Sequence, residues 1–401
     1  MIRAGSYRSI PAHLLLRWEE EPGGVSGAAP IRLTRRELAC QMRPAAPTSG
    51  GSSPTLRDSP PSSRQSSCLT LQPGDLAGPY HQRVSSKPFA SSADLGEKTA
   101  TLEKLAEGVY AYTAEGDPNV GCIVGTDALL AIEARATPLM AQRWIDVIRT
   151  FTDLPFRDLV LTHYHAVRVL GAAAFHAPKI IAHANTAAWI EERGAQDWAS
   201  EAARMPRLFA GAETIPGLTR PTHTFTDVLE MEVGGRAVEL RYLGRGHTAG
   251  DIVVWLPDER ICFAGDLVEA QAAPYMGDAH IGEWRSTTLD AVAALGAKQL
   301  VGGRGPVVRG ASAVKRAIDD TRAFLSAVLG GTRAVRDAGG TPAEAYRSTR
   351  EALEPRYGRF PIFEHTMPFN VQRAWDELEG IDHPRIWTVE RDREVWDQLT
   401  A

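Results

Sequence analysis

Two histidines separated by a single residue stand at the end of an apolar segment, in the sequence Leu161-Thr-His-Tyr-His. In an extended chain the side chains of residues i and i+2 point to the same side, so His163 and His165 can face one metal ion. Histidine pairs of this kind also occur by chance on protein surfaces. Taken alone, the pair leaves both interpretations open.

Two further segments place polar side chains in turns next to apolar strands. In Gly244-Arg-Gly-His-Thr-Ala-Gly-Asp, His247 lies in a glycine-rich turn between two predicted strands. In Phe263-Ala-Gly-Asp-Leu, Asp266 follows the end of a strand. Each of these residues, considered by itself, is also an ordinary turn residue.

The composition excludes several classes of protein. The chain has 401 residues, of which 43% are hydrophobic and 23% charged, as in ordinary globular proteins. The formal net charge of −5 gives no electrostatic reason to expect a nucleic-acid partner. No apolar run reaches the length of about 18 residues that predicts a membrane span, and no early segment is long enough for a signal peptide. The four cysteines are scattered and form no CxxC pair, so we expect a cytoplasmic protein without a disulfide scaffold.

The sequence divides into three predicted parts. Over residues 44–80, 19 of 37 residues are Ser, Pro or Gly, and such a stretch cannot bury enough apolar surface to fold. We therefore predict a disordered N-terminal extension at residues 1–96, an α/β domain at residues 97–310 and a helical C-terminal extension at residues 311–401.

Within the central part, segments typical of strands and helices alternate. Leu105 to Tyr112 is predicted to be one strand, Thr137 to cap a helix, and residues 157–162 to form a buried strand that ends at the histidine pair. Later strands are predicted over residues 228–233, 237–243, 251–256 and 260–264, with residues 299–302 as the last strand. This order predicts two packed sheets with helices on both outer faces.

Four segments together resemble the motifs of the metallo-β-lactamase superfamily, which are T-H-x-H-x-D-H, G-H-T-x-G, a strand ending in G-D, and G-H-G-P. The corresponding segments here are Thr162-His-Tyr-His-Ala-Val-Arg, Gly246-His-Thr-Ala-Gly, Gly265-Asp and Gly303-Arg-Gly-Pro. The resemblance covers about residues 102–310. It implies a four-layer αββα metallo-β-lactamase sandwich, with a metal site at the edge between the two sheets.

The resemblance also implies a degenerate second-metal site. The family's motif aspartate is Val167 here, the histidine after it is Arg168, and the late histidine is Arg304. The first-metal ligands, His163, His165 and His247, are retained, as is the bridging carboxylate, Asp266. We expect Asp266 to be both a metal ligand and a catalytic residue. Glu133 stands where family members carry an aspartate that can support a ligand histidine.

A single zinc ion held by three histidines keeps an open position and lowers the pKa of its bound water to about 7. We therefore expect a hydrolase that acts on an ester, thioester or lactam-like small molecule, with Asp266 orienting the water. Persulfide dioxygenases of the same superfamily bind one iron through the positions of His163, His247 and Asp266, so a mononuclear iron dioxygenase acting on a sulfur substrate is an alternative. A catalytically inactive ligand-binding domain is a third interpretation.

Four further residues are candidate substrate-binding residues. Arg168 and Arg304 are expected to converge on the volume of the second ion, to offset the charge of Asp266 and to bind an anionic group of the substrate. The alternative is that both arginines face solvent. Tyr275 and His280 lie in a segment that can overhang the site, or that simply leads into the next helix. We expect no membrane partner, and the sequence leaves a homodimer open.

Overall fold

The computed structural model describes residues 90–400. Residues 1–89 of the predicted N-terminal extension fall outside the described residues. The described chain begins with a 3-10 turn, Ala90–Ala93, and the Asp94 carboxylate accepts a hydrogen bond of 3.1 Å from Arg207.

The first sheet has seven strands that follow one another in chain order across the sheet. Their bounds are β1 (Ala100–Ala106), β2 (Val109–Ala114), β3 (Val120–Val124), β4 (Leu129–Ile132), β5 (Phe156–Val160), β6 (Lys179–His183) and β7 (His223–Phe225). Strands β1 to β4 are antiparallel, whereas β4 to β7 are parallel. The parallel arrangement brings the ends of β5 and β6, and the residues after them, to one edge.

The second sheet has six strands in the order β13-β12-β11-β10-β9-β8. Their bounds are β8 (Val228–Val233), β9 (Arg236–Tyr242), β10 (Ile252–Leu256), β11 (Ile261–Gly265), β12 (Gln299–Gly302) and β13 (Val308–Arg309). Strands β10 and β11 are buried along their whole length, as expected of strands covered on both faces. Among the described strands of this sheet, only β11 and β12 pair in parallel.

Nine α-helical segments of the described chain cover the sheets. Their bounds are α1 (Pro138–Ile148), α2 (Ala166–Val169), α3 (Ala184–Arg204), α4 (Ile281–Glu283), α5 (Leu289–Ala294), α6 (Ala311–Asp337), α7 (Pro342–Tyr357), α8 (Phe363–Leu378) and α9 (Val389–Thr400). Thr137 caps α1 as predicted, since its side chain accepts a hydrogen bond of 3.1 Å from the Met140 N–H. Thr341 and Glu344 form a reciprocal capping box at the start of α7.

Three apolar layers hold these elements together. The middle layer lies between the two sheets and includes Leu130, Val160 and Phe263. A second layer packs α1 against the first sheet around the buried Trp144. The third layer packs the second sheet against the helices that follow residue 310, so these helices share one core with β11 and β12. The predicted αββα architecture and the helical C-terminal region are confirmed.

Two predicted elements differ from the structure, and one long helix was not predicted. Residues 105–112 form two strands, because Gly108 takes a φ of +70° and turns the chain into the β1–β2 hairpin. The strand β12 is not the last one, since β13 pairs with it in antiparallel register. The 21-residue helix α3 was not predicted. Among residues 90–400, no helix has both the length and the apolar character needed to cross a membrane.

Candidate metal centre

The three histidines and Asp266 meet at one edge between the two sheets. His163 and His165 follow β5, His247 lies in the turn between β9 and β10, and Asp266 directly follows β11. The close approach of the two sheets requires a glycine before Asp266. Gly265 has a φ of +52°, and a Cβ atom there would lie 2.6 Å from the Thr162 hydroxyl oxygen.

Three imidazole rings converge in the interior. Their ligating nitrogens all lie within 4.8 Å of one another, and His165 Nδ1 is 3.0 Å from His247 Nε2. His163 Nε2 is buried and has no hydrogen-bond partner among the described residues. A buried polar atom without a partner is costly, and a metal ion would supply the missing interaction. The donor set therefore fits a metal ion, and three imidazole nitrogens suit zinc, iron or copper.

The opposite nitrogen of each ring is held by a polar group. His163 Nδ1 lies 2.9 Å from the Thr162 hydroxyl, His165 Nε2 lies 3.2 Å from Asp278 Oδ2, and His247 Nδ1 lies 2.8 Å from the Tyr275 carbonyl oxygen. A carboxylate or carbonyl acceptor fixes the proton on that nitrogen and leaves the other nitrogen free to bind a metal. His165 and His247 are thus oriented for ligation by the segment that contains Tyr275 and Asp278.

Asp266 lies beside the histidines and between two arginines. Its Oδ2 atom is 3.5 Å from His247 Nε2 and 3.9 Å from His163 Nε2. Arg168 donates a hydrogen bond to Oδ1, and Arg304 donates one of 3.0 Å to Oδ2. Burial alone would raise the pKa of Asp266, but the charges of Arg168, His163 and Arg304 outweigh it and hold that pKa well below its ordinary value.

Both arginines are buried, and both donate hydrogen bonds to other groups besides Asp266. Besides Asp266, Arg168 donates to the carbonyl oxygens of Asn119 at 3.1 Å and Gly303 at 2.8 Å. Arg304 donates from Nη1 to Glu269 Oε1 at 3.3 Å. The structure therefore places both predicted arginines against Asp266 and away from solvent. The Nε atoms of both are buried without a hydrogen-bond partner among the described residues.

The other two predicted substrate residues lie on residues 274–282, which we call the covering segment, at different distances from the histidines. The ring centre of Tyr275 is 5.6 Å from that of His165. His280 is also buried, and its ring lies near Trp189 and Asp382. Tyr275 is thus next to the predicted metal position, and His280 is farther along the same cover.

Glu133 supports the site through the backbone. Its Oε1 atom accepts a hydrogen bond of 2.8 Å from the Thr162 N–H, and the Thr162 hydroxyl in turn contacts His163. The expected direct bond to a ligand histidine is therefore replaced by one through Thr162. Burial raises the pKa of Glu133 to about 7.

Helix α3 supplies a group of acidic residues that the sequence analysis missed. Asp197 accepts a hydrogen bond of 2.7 Å from the Ala166 N–H, and Glu201 accepts one of 2.8 Å from the Val167 N–H. Burial lowers the pKa of His165, but Asp197, Asp278 and Glu201 outweigh this and raise it to about 9. A signal was present, since Trp189, Arg193, Asp197 and Glu201 recur at every fourth position and so share one helix face.

Part of the chain is similar to known proteins. The family model of the metallo-beta-lactamase superfamily matches residues 136–304. A metallo-beta-lactamase type 2 from Bacillus sp. (strain 170) is 26% identical over 202 residues, which are 48% of this chain and 70% of that protein. The Bacteroides fragilis protein of the same name is 34% identical over 109 residues, or 26% of this chain and 41% of its own.

Among solved structures, a metallo-beta-lactamase from Pontibacter korlensis has a TM-score of 0.46 at 20% identity and covers 57% of this chain and 99% of its own. FIM-1 from Pseudomonas aeruginosa, in its mono-zinc form, has a TM-score of 0.44 at 21% identity and covers 57% of this chain and 95% of its own. The match to the family model spans all three histidines, Asp266 and both arginines of the site. The family model and the sequence relatives together support membership of the metallo-beta-lactamase superfamily over residues 136–304.

Proposed function

We propose that the protein is a metal-dependent hydrolase that uses one ion, bound by His163, His165 and His247. The observation that carries the proposal is the convergence of three buried imidazoles, with the opposite nitrogens of His165 and His247 held by Asp278 and by the Tyr275 carbonyl. A zinc ion in such a donor set acts as a Lewis acid towards water and towards a substrate carbonyl.

The two arginines support a site with a single ion. Guanidinium groups stay protonated and cannot ligate a metal. Arg168 and Arg304 both form ion pairs with Asp266, and in the motif resemblance they replace two histidines of the family's second-metal site. They supply charge but no ligand, so we expect one equivalent of metal per chain.

Asp266 is the candidate catalytic residue. Its carboxylate lies within 4 Å of two ligand histidines and is fixed by hydrogen bonds to both oxygens. We infer that it accepts a hydrogen bond from the attacking water and orients that water towards the substrate. The burial of His163, His247 and Asp266 favours a small-molecule substrate, such as an ester, a thioester or a lactam, over a polymer.

The alternative of an iron dioxygenase uses His163, His247 and Asp266 and leaves His165 out. The geometry favours the set of three histidines, because His165 Nδ1 faces His247 Nε2 while Asp278 holds its other nitrogen. Both Asp266 oxygens already accept hydrogen bonds from arginines, which makes this carboxylate a poorer ligand.

Elemental analysis of the purified protein is the first test. One equivalent of zinc supports the proposal, iron supports the dioxygenase, and two equivalents contradict a single-metal site. A protein that takes up no metal is the inactive ligand-binding domain. His247→Ala should lower the metal content and the hydrolysis of ester, thioester and lactam substrates together. His223→Ala, which changes an exposed histidine on β7, is the matched control and should leave both unchanged.

A further inference from the structure

The covering segment, residues 274–282, contacts two of the three histidines. The Tyr275 carbonyl oxygen accepts a hydrogen bond of 2.8 Å from His247 Nδ1, and Asp278 Oδ2 lies 3.2 Å from His165 Nε2. This covering segment therefore fixes the ring orientation of two ligands and selects the nitrogen that each presents to a metal.

Helix α8 and the chain that follows it hold the covering segment. Asn370 accepts a hydrogen bond of 2.7 Å from the Met276 N–H and donates one of 2.9 Å to the Pro274 carbonyl oxygen. Trp387 donates from Nε1 to the Gly277 carbonyl oxygen at 3.0 Å. Both side chains thus bind backbone groups directly beside Tyr275 and Asp278.

Two more side chains of α8 extend this pattern. Arg373 donates from Nε to the Ala279 carbonyl oxygen at 2.7 Å. Glu377 accepts hydrogen bonds from the N–H groups of Ile281 at 2.7 Å and Gly282 at 2.9 Å. The covering segment belongs to neither sheet, so these side chains satisfy backbone groups that a strand would pair within its ladder.

Asp278 is tied to the C-terminal region by a second route. Arg193 of α3 donates from Nη1 to Asp278 Oδ1 at 3.3 Å and to the Pro384 carbonyl oxygen at 3.1 Å. The same guanidinium lies 2.6 Å from His383 Nε2 through Nη2. The carboxylate that orients His165 is therefore held by residues that are far apart in the sequence.

We propose that α8 and the segment 381–388 are part of the metal centre, with Asn370, Trp387 and Asp278 acting as positioning residues that set the affinity for the metal. They act through the covering segment and do not touch the ion. The inference rests on the proposed metal site, and it adds that the site needs the C-terminal helices to be preorganised.

The test compares the zinc dissociation constants of four variants with that of the wild type, by competition with a chromophoric chelator at fixed pH. Asp278→Asn should weaken binding by about 10- to 100-fold, as expected for the loss of a carboxylate that orients a ligand histidine. Asn370→Ala and Trp387→Phe should weaken it by roughly 3- to 10-fold, the effect of losing one or two hydrogen bonds.

Leu353→Ala is the matched control, because Leu353 is a buried residue of α7 in the same apolar layer, and its side chain has no polar atom that could bind the backbone of the covering segment. It should lower the unfolding temperature of the metal-free protein as Asn370→Ala does, yet bind zinc as the wild type does. The visible absorption of bound Co²⁺ should change in Asp278→Asn and Asn370→Ala and stay unchanged in Leu353→Ala.

Two results would overturn the inference. One is wild-type zinc affinity in folded Asn370→Ala and Trp387→Phe. The other is an equal loss of affinity in Leu353→Ala, which would reduce the effect to general stability. Failure of the proposed metal site looks different, since the wild type and His247→Ala would then bind zinc equally poorly, and the inference would fall with the site.

Discussion

Arg168 and Asp266 form a buried ion pair in which Arg168 Nη2 donates a hydrogen bond to Asp266 Oδ1. The same guanidinium donates to the carbonyl oxygens of Asn119 and Gly303, so it joins the β2–β3 loop to the loop after β12. A single side chain thus connects the carboxylate of the site to both sheets.

We expect this pair to be strongly coupled in the metal-free protein. Arg168→Met leaves a buried carboxylate with one of its two cations removed, and we expect it to lower the free energy of unfolding by about 3 kcal/mol. Asp266→Asn should also destabilise the protein, because it leaves two buried guanidinium groups without their anion.

The double variant should lose less stability than the sum of the two single losses, because it removes both charges of the pair. Urea unfolding with a chelator present measures all four proteins. If the effects of the two substitutions simply add, the ion pair does not contribute to the stability of the site.

Gly303 provides the space that Asp266 occupies. A Cβ atom at this position would lie 2.0 Å from Asp266 Oδ1 and 2.9 Å from Arg168 Nη2. We therefore expect Gly303→Ala to displace the carboxylate and to reduce hydrolysis by at least about 10-fold, which corresponds to about 1.4 kcal/mol in the activation barrier.

Gly330→Ala is the control for Gly303→Ala, because no atom lies within 4 Å of a Cβ placed there in α6. It should keep full activity and raise the free energy of unfolding by about 0.5–1 kcal/mol, since alanine favours a helix interior over glycine. Equal activity of the two variants would show that the position of Asp266 does not matter for the reaction.

The sequence predicts those site residues that lie directly after a strand or in a turn between strands. His163, His247 and Asp266 each stand within a few residues of a strand or a turn, so a short motif carries both the residue and its placement. The order of the motifs along the chain then specifies the two-sheet fold. Arg168 and Arg304 were predicted to lie near Asp266, because the resemblance aligns them with ligand histidines of the family.

The supports of the site could not be predicted in the same way. Asp278 and His165 are 113 residues apart, and Arg193 and Pro384 are 191 residues apart, so no local pattern connects them. The buried face of α3 could not be predicted, because Arg193 and Asp197 are charged and charged residues ordinarily indicate a solvent-exposed face. Here both are buried and bonded beside His165: Arg193 donates a hydrogen bond to Asp278, and Asp197 accepts one from the Ala166 N–H.

His365 is expected to make the stability depend on pH. Its Nε2 atom lies 3.1 Å from Arg204 Nη1 and accepts a hydrogen bond from it, and its ring packs against Phe369. Burial, and then the charges of Arg204 and Arg304, hold the pKa of His365 well below its ordinary value of 6.5. The ring is therefore neutral in the folded protein.

Because the unfolded chain takes up a proton at His365 below about pH 6.5 and the folded chain does not, the free energy of unfolding should fall as the pH drops below 6.5. In His365→Gln the free energy of unfolding should fall less steeply with decreasing pH. Urea unfolding of both proteins between pH 7.5 and 5.5 measures the difference, and the other histidines titrate in both proteins and cancel. Equal slopes would mean that His365 gains its proton in the folded state.

We expect Arg304 to bind an anionic group of the substrate. This guanidinium is buried, and its Nη1 is shared between Asp266 and Glu269, while its Nε has no partner among residues 90–400. An acceptor oxygen of a carboxylate or phosphate would satisfy that donor. Isothermal calorimetry with inorganic phosphate should therefore detect binding to the wild type and at least about 10-fold weaker binding to Arg304→Gln, a loss of about 1.4 kcal/mol. Arg333→Gln, which changes an exposed arginine of α6, should bind as the wild type does. The double variant Arg168→Ala/Arg304→Ala is measured in the same way. If this variant and Arg304→Gln are folded and keep the wild-type phosphate affinity, the arginines only stabilise Asp266 and do not bind the substrate.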